Sequence, residues 1–574
     1  MRNWHEDTDV IPVVPTEPSG DYGWPTEDPD GSAARLPTVA DEMAGQGQGV
    51  SAETGSSVGR STGSMAVAGL CSKVTGFVRT LVIVWVLGFS ASADAFNAAN
   101  SLPNQVYELL VGGVLTSVMV PLLVRARVDD TDGGEAYTQR LLTMTTTALV
   151  ATTALGVLCA PLLTALMVDD STGRADPALA TSFAYLLLPQ ILFYGLSALF
   201  SAILNARNVF GPPAWGPVLN NVILIGTFAT YLVGILHLDP SRMRPGDVLY
   251  LGIGSTLAVV AEAAIMVPAL ARSGFRFRWR WGWDPRFSEF GGLALWTVGY
   301  ALLAQIGVVA VTNVTTSHGG LTLYNNVWQL VQLPYGVLGF ALITAILPRM
   351  SRAAAEHDLA GVKRDFSLAA RLCVTAMLPM SALLGVLGPS LGVALFSVGK
   401  GSGDAQSLGV ALATAAFGVL PYAITLIQLR VFYALKDART PTLIMLVMMA
   451  AKVALTYLAP LVLPSGQVVY GVLFANSLSF VVGWVVGELW LHHRLGALRS
   501  GVAAALGKAL VASAVGGAAA FLVREVMPRG LPGAWLSLVV GGLAGVVVTV
   551  VALRLLRSRE VLPMTQRLAA VVRR

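Results

Sequence analysis

Long apolar stretches alternate with short polar breaks along nearly the whole chain, at a length that suits neither the strands nor the amphipathic helices of a water-soluble core. A helix needs about twenty mainly apolar residues to cross the hydrocarbon of a bilayer. Runs of that kind are predicted over 63–89, 93–124, 138–168, 177–205, 214–236, 247–271, 288–315, 320–348, 365–397, 406–434, 441–462, 468–492, 502–523 and 533–556. Fourteen spans is an even number, so both ends of the chain fall on one side. The second and eighth spans contain prolines, Pro103 with Pro121 and Pro334 with Pro348. Both are therefore expected to be broken or bent helices that face a cavity.

The pattern also repeats. Leu-Pro-Gln at 188–190, Asn-Ala-Arg at 205–207 and Pro212-Pro213 in and after the fourth span answer Leu-Pro-Tyr at 420–422, Asp-Ala-Arg at 437–439 and Thr440-Pro441 in and after the tenth. Gly-Gly-Val-Leu-Thr-Ser-Val-Met-Val-Pro (112–121) is likewise answered by Ala-Leu-Ile-Thr-Ala-Ile-Leu-Pro (341–348). Partners six spans apart make the repeat parallel, and two six-helix lobes with a site between them suit alternating access. The fold class is thus an all-α polytopic membrane protein of about fourteen transmembrane helices. The division is an acidic tail (1–60), an N-terminal lobe (61–272), a C-terminal lobe (287–495) and two additional helices with the C-terminus (502–574).

Composition sharpens this picture. Of 574 residues 55% are hydrophobic and 12% charged, against roughly 25% charged in soluble proteins. A soluble enzyme and a nucleic-acid-binding domain are excluded, despite a net charge of +5. Residues 1–60 hold eleven Asp and Glu against three Arg, and are rich in Pro, Gly and Ser. Such a segment buries too little to fold, and it reads as a solvated tail or a docking arm for cell-wall synthesis proteins. Loops on the side of the tail carry 17 Lys and Arg against 6 on the other, which places both termini in the cytoplasm. Between spans six and seven, Arg276-Phe-Arg-Trp-Arg-Trp-Gly-Trp283 alternates cation and aromatic, a pattern that anchors in anionic headgroups. No phosphate loop, catalytic histidine or cluster of metal ligands is present, and Cys71, Cys159 and Cys373 have no paired spacing. Neither a cofactor nor a catalytic residue is expected.

Charges inside the spans need individual accounts, since each costs at least about 2.5 kcal/mol on insertion scales. Lys73 and Arg79 lie six residues apart on the first span, with Gly76 between them as a potential kink. Asp94 opens the second span, near enough to pair with a first-span cation, and Glu108 stands one turn from Asn104. Snorkelling to headgroups is the competing account of these four charges. Lys452 lies midway along span eleven and must face a cavity or a carboxylate; Glu262 is the equivalent oddity in span six. Asn325, Asn326, Gln329 and Gln332 form a stripe on span eight, which serves either a cargo or interhelical bonding. Fixed cations in a cavity without hydrolytic machinery suit the passage of an anion.

These segments resemble the MurJ/MviN family of lipid II flippases, within the multidrug/oligosaccharidyl-lipid/polysaccharide exporter superfamily. The residues that carry the resemblance are Ser72-Lys73-Val-Thr-Gly76-Phe77-Val-Arg79, Ala93-Asp94-Ala95-Phe96 with Leu102-Pro103-Asn104, Leu333-Pro334-Tyr335-Gly336-Val337-Leu338-Gly339 with Leu347-Pro348-Arg349-Met350-Ser351, and Ala438-Arg439-Thr440-Pro441. The resemblance spans 61 to about 560. It implies fourteen helices in two lobes, and a hydrophilic cavity whose cations hold the pyrophosphate of the undecaprenyl-linked peptidoglycan precursor. Arg79 and Asp94 match family positions directly. Lys73 stands where arginine is usual, keeping the charge but not the bidentate fork. Thr80 replaces an acid, and Tyr107, Glu108 and Gln329 stand where many members have arginine. Thr312 aligns with an aspartate that ligates sodium in some members, and the Lys452 ammonium would take the place of that ion. The expected activity is movement of lipid II from the inner to the outer leaflet. Alternatives are export of another polyprenyl-linked glycan, a multidrug antiporter, or a non-transporting cell-wall scaffold.

Overall fold

The computed structural model describes residues 57–109, 120–282, 284, 291–496, 501–558 and 560. The acidic tail to residue 56, Gly112–Met119 of the repeat, Trp283, Arg286 and Arg499 lie outside them. Every regular element among the described residues is helical. In chain order they are α1 (Ser57–Leu87), α2 (Ala91–Leu109), α3 (Val120–Asp129), α4 (Glu135–Leu158), α5 (Ala160–Met167), α6 (Pro177–Leu187), α7 (Gln190–Ala206), α8 (Gly211–Leu232), α9 (Pro245–Ala264) and α10 (Val267–Arg272). There follow α11 (Gly291–Ser317), α12 (Leu321–Pro334), α13 (Phe340–Ala355), α14 (Leu359–Phe396), α15 (Ala405–Ala415), α16 (Val419–Ala434), α17 (Arg439–Val462), α18 (Val468–Leu495), α19 (Val502–Val526), α20 (Leu531–Leu536) and α21 (Gly542–Leu555).

Ten of the described helical stretches are long and apolar enough to cross a membrane, and α6 with α7 makes an eleventh if taken as one span bent by 40°. The protein is a multi-pass membrane protein. The expected second, fifth and eighth spans fall short of that apolar standard. The fifth carries Asn220 and Asn221, the eighth carries its amide stripe, and the second is interrupted by residues outside the description. A total of fourteen is compatible with the structure. The measured bend sits at Leu188-Pro189, in the fourth span, where the ring of Pro189 and its missing N–H interrupt the helical ladder. In the eighth span the response to Pro334 is a π-turn over Tyr335–Gly339 between α12 and α13, the form in which helices commonly absorb a break near functional positions.

Helix α1 straddles the two halves of the molecule. At 100° per residue, Leu81 and Val84 share one face and Val82 and Val86 the neighbouring one. The first pair joins an apolar core built from α11 to α19, and the second joins a core built from α2 to α9. Gly76 does not break α1, which runs on unbroken; it lies against Asn221, where a Cβ would meet the amide nitrogen at 3.4 Å. The glycine therefore permits close approach of α8. Helices α19 and α21 pack on α14 and on each other, with Gly516 and Gly545 allowing backbone-to-backbone approach as small residues do between membrane helices.

Candidate functional site

Arg79 is half-buried on α1, on the approach to a group of first-half helices that present polar groups to one another. Glu262 on α9 is 5% exposed. Its Oε2 accepts a hydrogen bond from Asn220 Nδ2 on α8 at 2.7 Å, and its Oε1 one from Ser197 Oγ on α7 at 3.2 Å. Arg79 is within electrostatic reach of this carboxylate and of Tyr194. The Arg79 Nε is buried and has no hydrogen-bond partner among the described residues. The rings of Tyr107 and Tyr194 meet at 5.0 Å. Arg79 itself forms no ion pair among the described residues.

Lys73, two turns earlier on α1, is exposed and points to the other half: its Nζ donates to the Gly336 carbonyl at 3.1 Å. That carbonyl belongs to the π-turn. From the second half Arg430 on α16 is within electrostatic reach of Tyr335 in the same turn, and of Tyr300 and Tyr433. Arg430 is exposed and has no ion pair among the described residues. Cations from both halves thus flank residues 335–336.

Asp94 is elsewhere. The expected pairing with a first-span cation is corrected: Asp94, 4% exposed, accepts the backbone N–H groups of Gly320 (2.8 Å), Leu321 (3.2 Å) and Thr322 (2.7 Å). Those are the orphan donors at the start of α12, whose positive dipole end favours an anion. Asn97 adds a bond to Thr322 Oγ1 at 3.0 Å. Around this point the halves are stitched together by Trp85 Nε1 to the Leu395 carbonyl (2.9 Å), Thr316 Oγ1 to that of Met167 (3.1 Å) and Thr172 Oγ1 to that of Ser317. At Gly399, in the left-handed region at φ 61°, a Cβ would collide with the Trp85 carbonyl. The seam is at one end of the bundle, at the C-terminal end of α1, and Lys73 lies fourteen residues back along that helix.

The remaining expected residues are dispersed. Asn104 donates to the Asn100 carbonyl of its own helix, and Glu108 is exposed. Asn325 and Gln329 are half-buried on α12; Asn326 bonds back to the Thr322 carbonyl, and Gln332 accepts from Tyr422 Oη at 3.4 Å. Lys452 packs its aliphatic stem near Gly307 of α11 and forms no ion pair with a carboxylate among the described residues. No group of three metal-ligating side chains gathers among those residues. A surface crevice of about 310 Å³ between Ala382, Gly385 and Val386 of α14 and Ser513, Gly517 and Phe521 of α19 has no charged lining, so it offers no counter-charge to a diphosphate.

Sequence reasoning missed Ser197, Tyr194 and Asn220, and passed over Arg430. Adjacent Asn220-Asn221 inside an apolar run was a usable signal; Ser197 and Tyr194 gave none without their neighbours.

The model of the lipid II flippase MurJ family matches residues 83–541. The chain belongs to this family. A probable lipid II flippase MurJ of Rhizobium meliloti is 26% identical over 426 residues, covering 73% of this chain and 77% of that protein. The lipid II flippase MurJ of Burkholderia cenocepacia is 26% identical over 381 residues, covering 65% and 72%. Among solved structures, a lipid II flippase MurJ in an inward closed conformation superposes with a TM-score of 0.69 at 17% identity, covering 85% of this chain and 98% of that one. An inward-facing multidrug resistance MATE transporter gives 0.59 at 15% identity. Members of the MurJ family are transporters, and this chain shares the fold of that structure.

Proposed function

We propose that the chain flips lipid II, the undecaprenyl-diphosphate-linked peptidoglycan precursor, from the inner to the outer leaflet of the bacterial cytoplasmic membrane. What carries the reading is family membership over most of the chain, joined to Lys73 and Arg79 on α1, a helix that contributes to the apolar cores of both halves. The two halves act as six-helix lobes, 61–272 and 287–495, that rock about α1. With both termini in the cytoplasm, as the loop cations favour, the seam at Asp94 closes the outer side and Lys73 lies toward the inner side. The diphosphate docks on Lys73 and Arg79, and the polyprenyl chain stays in lipid between the lobes. Each negative charge carried outward gains about 2.3 kcal/mol per 100 mV of a cytoplasm-negative potential, so turnover needs no nucleotide.

The extended stretch 276–282, between α10 and α11, fits the same orientation. Gln139 Nε2 donates to the Arg276 carbonyl at 2.8 Å, and Thr143 Oγ1 accepts from the Arg280 N–H at 3.0 Å. These bonds fasten the stretch to α4 and leave Phe277, Trp279 and Trp281 exposed, as an anchor in anionic lipid requires.

Arg79→Ala is expected to abolish rescue of a flippase-depleted strain while the protein still reaches the membrane. Normal growth of that strain would remove the diphosphate role. A second reading, export of another polyprenyl-linked glycan, is favoured by one observation: Tyr107 packs its ring against Tyr194 instead of adding a cation. Identifying the lipid-linked intermediate that accumulates on depletion separates the two.

A further inference from the structure

Glu262 is a buried carboxyl group for which the translocation scheme above has no use. It lies within an apolar span and is 5% exposed. Its bonding partners are neutral: Oε2 accepts from Asn220 Nδ2 on α8 at 2.7 Å, and Oε1 meets Ser197 Oγ on α7 at 3.2 Å. It forms no ion pair among the described residues. The helices packed along α9 are α6, α7 and α8, whose sequences contain no Asp, Glu, Lys, Arg or His. Their titratable side chains are tyrosines: Tyr194, the exposed Tyr185, and Tyr231, which bonds to Asp247 at the far end of α9. Arg272 ends α10, ten residues further along the chain. From more distant helices, Arg79 of α1 and Tyr107 of α2 come within electrostatic reach, and neither hydrogen-bonds to Glu262. An ionised carboxylate with no cation bonded to it is expensive in a membrane interior, whereas a protonated one costs far less. The neighbours suit the protonated form. A hydroxyl both donates and accepts, so Ser197 can take a hydrogen bond from a Glu262 O–H, and Asn220 donates to either form.

We propose that Glu262 is a proton-binding site that couples flipping to a proton gradient: it holds a proton in the close packing of α7, α8 and α9 seen here and releases it when those helices part and admit water. The route to the cargo site runs through adjacent residues of α8. Asn220 bonds to Glu262, while Asn221, 7% exposed, donates through Nδ2 to the Ser72 carbonyl and to Thr75 Oγ1 of α1, each at 3.2 Å. That grip flanks Lys73. A shift of α8 away from α9 therefore moves the part of α1 that carries this cation. A gradient that is acid outside adds drive only if a proton comes in as cargo goes out, so the exchange is an antiport. The coupling rests on the lipid II reading above for what is moved; the proton site stands on the contacts of α7, α8 and α9.

The test uses the purified full-length chain. Infrared spectra are taken in detergent, and flipping of fluorescent lipid II is followed in vesicles whose potential is clamped with valinomycin and potassium. The unaltered chain is expected to show a carboxylic-acid C=O band at neutral pH that is missing from Glu262→Gln, whose amide imitates the protonated side chain. Acidifying the outer side by one pH unit is expected to raise the steady-state ratio of outer to inner lipid II by up to about tenfold, the value of one proton per turnover. Glu262→Gln is expected to abolish that response, and Asn221→Ala to keep the band while losing most of the response. Absence of the band at neutral pH overturns the proposal, as does a full response in either variant. If Glu262→Gln does not accumulate, Ser197→Ala removes the acceptor of the O–H and is expected to displace the band; an unmoved band overturns the proposal. A chain that flips lipid II under a membrane potential but ignores the pH gradient also overturns it and spares the lipid II reading. A chain that keeps the band yet moves no lipid II under either force removes that reading, and with it the coupling, so the two failures stay distinct.

Discussion

Arg430 stands alone on α16, four residues before the helix ends, with tyrosines of three helix segments within reach. It brings to the second half the positive charge that Gln329 does not provide. Removing it should weaken binding of a diphosphate while leaving the fold intact, because no described carboxylate depends on it. Arg430→Ala is expected to lower undecaprenyl diphosphate affinity about tenfold, the scale of one charged hydrogen bond, measured on the purified protein. An affinity equal to that of the unaltered chain would show that the guanidinium faces away from the cargo. Residues of this kind were legible unevenly. Lys73, Arg79 and Glu262 stood out because a charge in an apolar run requires an explanation. Arg430 sits near a span end, where the same residue reads as a headgroup anchor. Ser197 and Asn220 are uncharged and common in membrane helices, so only the meeting of α7, α8 and α9 gives them meaning.

Among elements, the junction of α2 with α12 has the clearest consequence. A carboxylate from one half caps a helix of the other, and three N–H groups have no other acceptor there. Asp94→Leu leaves them buried and unsatisfied, at about 1–3 kcal/mol for each such group. The variant is expected to unfold at a distinctly lower temperature than the unaltered protein and to fail in complementation, with Asp94→Asn in between. Equal melting temperatures for all three would show that water replaces the carboxylate. The spans themselves were readable from hydropathy wherever a helix is apolar on all sides. The fifth and eighth were less so, because each carries buried amides, Asn220 with Asn221 and Asn326. Hydropathy likewise could not say which proline bends its helix: Pro189 accompanies the 40° break, whereas Pro334 is absorbed by a π-turn. That choice depends on the neighbours available to satisfy the freed backbone groups.

Across the whole molecule, alternating access requires the seam at Asp94 to part. Asn97 and Thr322 face one another across it at 3.0 Å. Changed to cysteines in a chain whose Cys71, Cys159 and Cys373 are replaced by alanine, they are expected to be bridged by a short bis-thiol reagent, halting lipid II flipping until the bridge is reduced. Flipping that continues through the bridge would exclude this seam as a gate. Most of its bonds end on main-chain atoms: the amides of residues 320–322, and the carbonyls of Leu395, Met167 and Ser317. A peptide group is the same whatever side chain it carries. The closure can therefore survive extensive drift in composition around it, and the surfaces that choose a passenger are free to diverge without relearning how to shut the door.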